Sequence, residues 1–192
     1  MDRTGHRARK GQRRAAGIAL SAAIAAMVAV GPAAAQDEPR EAPFGDKVSQ
    51  RIPFYHRAAP QVATSGPLGR LGMIEAKAVG FRTVVSLRPK ADEGGNLETM
   101  ARFTKIRFVA LPVEGALPSE AQLKRLAAIL GETPARPVLI YGRDRDQAAA
   151  AWALLRAMEG VPARIAYQEG LTAGLRGRAG AVRERLGLSK QD

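Results

Sequence analysis

Four short runs rich in apolar and β-branched residues, Val62–Ser65, Thr83–Leu87, Arg107–Val113 and Pro137–Tyr141, are each followed by a segment with helical apolar spacing. This alternation constrains the fold more than any other feature. A strand can reach a parallel neighbour only through a crossover of about a dozen residues, and a helix is the usual crossover. The expected fold is therefore α/β, with a mostly parallel four- to five-stranded sheet flanked by helices.

The helical segments are read from their apolar positions and their punctuation. Leu68, Leu71, Ile74, Ala78 and Val79 form one stripe, and Gly80 ends it. Leu97–Thr104 follows an Asn96 cap, Ser119–Leu130 opens on a Ser119 to Gln122 capping box, and Gln147–Met158 is rich in Ala. Beyond it, Gly170, Gly174, Gly177 and Gly180 interrupt a Gly/Arg-rich tail that carries marginal helices.

The first 35 residues stand apart. Arg3, Arg7, Arg9, Lys10, Arg13 and Arg14 precede the apolar run 15–30, and Ala33 and Ala35 offer small residues before Gln36. That is the three-part layout of a secretory signal, cut near Ala35/Gln36, and the Arg13-Arg14 pair leaves the choice of Sec or twin-arginine route open. Sixteen residues rich in Ala are short for a membrane span, which needs about 20. The expected location is periplasmic or secreted, without a stable membrane span after cleavage. Residues 36–53, with Pro39, Pro43 and Pro53, read as a flexible lead-in, and a single domain is expected over 54–192.

The signal holds six of the 30 Lys and Arg and one of the 18 acids, so a surplus of seven positive charges remains after it. Such a surplus suits anionic ligands or lipid headgroups. No basic stripe interleaved with aromatics is present, and a nucleic-acid partner is not expected. There is no cysteine, which excludes disulfides, zinc–thiolate sites and thiolate attack. Only His56 remains beyond the signal, so no metal site or cofactor is expected. His56 is assigned to packing or surface, and Trp152 with Leu155 to the core.

In a parallel sheet flanked by helices the ligand site lies beyond the carboxyl ends of the strands. The junction Val138-Leu139-Ile140-Tyr141-Gly142-Arg143-Asp144-Arg145-Asp146-Gln147-Ala148 is the candidate. Together with Val62-Ala63-Thr64-Ser65-Gly66-Pro67, residues 80–89, Leu111-Pro112-Val113 and Ala149-Ala150-Ala151-Trp152-Ala153-Leu154, it resembles the bacterial tyrosine/dual-specificity phosphatase-like superfamily. The resemblance runs over about residues 54–176 and is closest to the compact beta-lactamase-hydrolase-like, or DUF442, subgroup.

That subgroup follows a strand with His-Cys-x-x-Gly-x-Arg-Ser. Ungapped, the resemblance sets Tyr141 at the His, Gly142 at the nucleophilic Cys, Arg145 at the Gly and Gln147 at the phosphate-clamping Arg. It therefore implies a degenerate member lacking both the Cys and the Arg, and a phosphate-binding loop (141–148) that is disarmed. Arg145 at the glycine position adds an expectation of a reshaped loop. A gapped alternative lays Gly142-Arg143-Asp144-Arg145 on a Gly-x-Asp-Arg ending, making Arg145 the clamp and Leu139 the nucleophile position. Arg88 matches the arginine of an Asn-Leu-Arg element, and Glu114 stands near the general-acid position.

Three readings follow. In the first, the protein is an exported pseudophosphatase whose remodelled loop binds an anionic small molecule or phosphorylated ligand through Gly142, Arg143, Asp144, Arg145, Asp146, Gln147 and Arg88. Another is a Cys-independent phosphoester hydrolase using the Asp144-x-Asp146 pair, set against the plainer assignment of these acids to capping the next helix. The third is an envelope scaffold whose protein partner binds elsewhere.

Overall fold

The computed structural model describes residues 48–89 and 96–189. The signal and most of the lead-in lie outside the described residues. Five strands form one sheet in the order β1-β2-β5-β3-β4, with β1 His56–Ala59, β2 Val62–Ser65, β3 Thr83–Ser86, β4 Arg107–Ala110 and β5 Val138–Tyr141. The expected parallel sheet is present: β2, β5, β3 and β4 run parallel, in registers that align Ser65 and Ser86 with Tyr141 and Ser86 with Ala110. Their carboxyl ends therefore lie side by side, with β5 in the middle.

Strand β1, which no apolar run announced, pairs antiparallel with β2 through an irregularity between Arg57 and Ala59. The domain also begins earlier than Phe54. Ile52 is only 2% exposed and belongs to the core, and Pro53 O accepts a hydrogen bond from Gly66 N (2.8 Å).

Alternation along β5 divides the core in two. Val138 and Ile140 face one side, where α3 (Glu120–Gly131), α4 (Arg145–Met158), α5 (Ala163–Ala173) and α6 (Ala179–Arg185) pack. Leu139 and Tyr141 face the other, covered by α1 (Arg70–Ala78) and α2 (Asn96–Thr104). Because both faces are covered, β5 is buried along its whole length, the reason its sequence is continuously apolar.

Three elements differ from the sequence expectations. Strand β4 stops at Ala110, short of Val113, although Leu111 N still donates to Ser86 O (2.8 Å) and Val113 N to Leu87 O (3.0 Å); Pro112 between them has no N–H to give. Helix α1 turns Gly72, Met73 and Ala76 inward, so Leu71, Ile74 and Ala78 of the expected apolar stripe are exposed. The segment after Met158 is no marginal tail: α5 lies along α4, where a Cβ on Gly170 would stand 2.8 Å from Ala153 Cβ. The Ala-rich composition of α4 follows from this, since 147–155 are buried on every side and only small side chains allow such close approach. Among the described residues, no helix is long and apolar enough to cross a membrane.

Candidate functional site

The carboxyl ends of β2, β3, β4 and β5 bring four connections together: Ser65-Gly66, Leu87–Pro89, Leu111–Glu114 and Gly142–Gln147. The last is the predicted loop. It leaves β5 at Tyr141, and Asp144 Oδ1 caps α4 by accepting from Gln147 N (2.7 Å). Arg145 is therefore the first helical residue and Arg143, Arg145 and Asp146 all have φ below zero. Arg145 needs no glycine-like backbone angle, because the helix starts there.

Gln147, which the ungapped resemblance sets at the clamping-arginine position, is 1% exposed and fills the inside of the loop. Its Oε1 accepts from Arg143 N (2.7 Å), and its Nε2 donates to Val113 O (3.3 Å). Gly142 N faces Ser65 O at 3.4 Å. A Cβ at position 142 would lie 2.7 Å from Asp144 O, 2.9 Å from Gln147 Cβ and 3.0 Å from Gln147 Oε1. The place where a nucleophile's side chain would begin is thus taken by backbone and by Gln147. One loop N–H that an anion would need is already satisfied internally.

The acids are equally engaged. Arg178 Nη1 reaches Asp144 Oδ1 (2.9 Å) and Asp146 Oδ2 (2.8 Å), and Asp146 also accepts the backbone N–H of Arg178 (2.9 Å) and of Arg176. Arg178 Nε donates to Ala116 O (3.1 Å), and Arg185 Nη1 to Pro118 O (3.0 Å). The segment following Glu114 is thereby bound to the C-terminal helices. Asp146 is mostly covered and accepts through both oxygens, whereas Asp144 is held through Oδ1 and its side chain is 46% exposed. Among the described residues, no three His, Asp or Glu side chains gather where they would hold a metal ion.

The remaining candidates lie around the rim. Glu114 is exposed, directly after the carbonyl that Gln147 Nε2 meets. Arg88 has a buried Nε without a hydrogen-bond partner, while its backbone N–H donates to Ser86 Oγ (3.3 Å). Arg143 and Arg145 are exposed. Arg145 lies 5.0 Å from the ring centroid of Phe54, itself 59% exposed with φ 55°. Gly66 and Gly174 make this stack fit: a Cβ on Gly66 would meet Phe54 Cδ2 at 2.8 Å, and one on Gly174 would meet Arg145 Cδ at 3.0 Å.

His56 and Trp152 lie away from the loop. They share a recess of about 390 Å³ between β1 and α5, lined also by Ile165 and Thr172. Burial pushes the His56 imidazole below its ordinary pKa by disfavouring the charged form. Sequence reasoning did not find Arg178 or Phe54. No local pattern marks Arg178, whose partners are 32 and 34 residues distant.

Residues 55–159 match the family model described as Beta-lactamase hydrolase-like protein, phosphatase-like domain. Among solved structures, the chain is similar to a candidate phosphatase of Neisseria meningitidis (20% identity, TM-score 0.58, 68% of this chain and 94% of that one). It is also similar to Tk-PTP in its active form (20%, 0.58, 70% and 96%). The core catalytic domain of the PP-IP phosphatase of S. cerevisiae, solved with citrate, shares the fold at 11% identity (TM-score 0.60, 73% and 88%). No curated protein matches the chain.

Proposed function

Since the chain belongs to the family of phosphatase-like domains of beta-lactamase hydrolase-like proteins, we propose that it is a pseudophosphatase, a domain that keeps the scaffold and works by binding rather than by turnover. One observation carries this reading. The space a side chain at position 142 would need is filled by Asp144 O and the Gln147 side chain. Catalysis of this kind needs a nucleophile beneath an array of N–H donors and a cation that grips the phosphoryl oxygens. Here Gly142 offers no nucleophile, Gln147 carries no charge, and Arg143 N–H is already used. Export belongs to the same proposal and rests on the composition of residues 1–35.

The test is phosphate release from p-nitrophenyl phosphate by the full chain, with and without Mg²⁺, beside the Gly142→Cys/Gln147→Arg double variant. No release above buffer is expected from either, because a Cβ at 142 collides with backbone. Release from the unmodified chain that disappears in Asp144→Asn or Asp146→Asn would replace this reading with a Cys-independent hydrolase.

The anion that the loop would bind in this reading is favoured by the exposed guanidinium of Arg145 held over Phe54 beside Arg143. An amide NMR titration with inorganic phosphate tests that half of the reading. Saturable shifts over Gly142–Ala148 support the anion site, and a silent loop removes it.

A further inference from the structure

Helix α1 carries apolar residues on two sides. Gly72, Met73 and Ala76 are buried beneath it, while Leu71 (60% exposed) and Ile74 (43%), with Ala78, line its outer side at helical spacing. A surface helix ordinarily carries polar groups there. The other exposed residues of α1 are Arg70 and Lys77. Its acid, Glu75, is largely covered, accepting from Ser49 N (3.2 Å) and facing Arg51 Nη1 (3.8 Å). The first turn holds no acid, and the N-cap is Gly69, which has no side chain to satisfy the free N–H groups. Two cations thus flank two large apolar side chains, and no exposed acid opposes them within the helix.

Protein interfaces are depleted in lysine at their centres, whereas helices that lie on membranes pair Leu, Ile or Phe with flanking Lys and Arg. Charge complementarity therefore favours an anionic lipid surface over a protein partner. We propose that the outer face of α1 docks the domain on an anionic bilayer. Leu71 and Ile74 enter the boundary between headgroups and acyl chains, and Arg70 and Lys77 meet the lipid phosphates. With about 13 Å of helix in contact, the attachment is shallow and reversible. It requires neither an open loop nor catalysis.

The chain contains no cysteine, so Ile74→Cys gives a single attachment point for an environment-sensitive fluorophore on the full chain. Vesicles of phosphatidylglycerol and phosphatidylethanolamine should shift its emission to the blue, and pure phosphatidylcholine vesicles should not. In the same labelled chain, Arg70→Glu with Lys77→Glu should weaken vesicle binding about 25-fold or more, near fivefold for each cation removed. Circular dichroism confirms that these surface variants remain folded. Binding to vesicles without an emission change at position 74 overturns the proposal, since another segment would then carry the contact. Absence of binding overturns it too. A blue shift that appears without vesicles as protein concentration rises assigns the face to a second copy of the chain instead.

Discussion

Gly142 is the residue on which the loop turns. Its φ lies outside the left-handed region, so the demand for glycine comes from the crowding atoms and not from the backbone angle. Gly142→Ala should therefore destabilise the domain by about 1–3 kcal/mol, the usual cost of overpacking a filled space, as read from urea denaturation. An unchanged midpoint would mean that Gln147 swings out cheaply and that the loop opens. Arg178 is the second such residue. It binds both loop acids and the carbonyl of Ala116, and Asp146 is mostly covered. Arg178→Ala should lower stability by about 1–3 kcal/mol. It should also raise amide exchange at 114–118 and 144–147 together, because one side chain ties both segments; exchange rising at only one of them would refute the shared tie.

At the scale of elements, the pairing of α4 with α5 depends on small side chains. Ala153 faces Gly170 so closely that even one Cβ has no room. Gly170→Val should push α5 away from α4 and cost about 1–3 kcal/mol, visible as a lower thermal midpoint. The same substitution at Gly180, where a Cβ would meet nothing, is the control. Helix α1 shows that periodicity alone does not choose a face. Both Leu71/Ile74/Ala78 and Gly72/Met73/Ala76 stand at helical spacing, and the structure buries the second. The helix docks this way because Gly72 lets the Arg51 carbonyl and Leu68 approach the helix closely.

Across the whole molecule, His56 is the histidine among the described residues, and its titration bears on stability near neutral pH. Burial lowers the His56 pKa below 6.5, so the folded state binds its proton less readily than the unfolded chain. Stability then increases as pH rises from below the folded pKa towards 6.5 and is unaffected by this group above it. Thermal midpoints between pH 5 and 7.5, taken in steps, should show that rise in the unmodified chain, and His56→Gln should flatten it; an identical slope in the variant would reassign the dependence to other groups. The alternation of apolar runs and helical spacing determined the four parallel strands and the helices that connect them, though not β1 or the packing of α5, because strand and helix periods are local and a parallel crossover has few solutions. The missing cysteine likewise determined the absence of a thiolate without reference to any coordinates. Tertiary structure alone decided that Gln147 turns inward to plug the loop, that Arg178 ties it to the opposite segment, and that Leu71 and Ile74 face outward. Each of these depends on partners distant in the chain or on which of two apolar faces meets the sheet, and neither leaves a signature in local spacing.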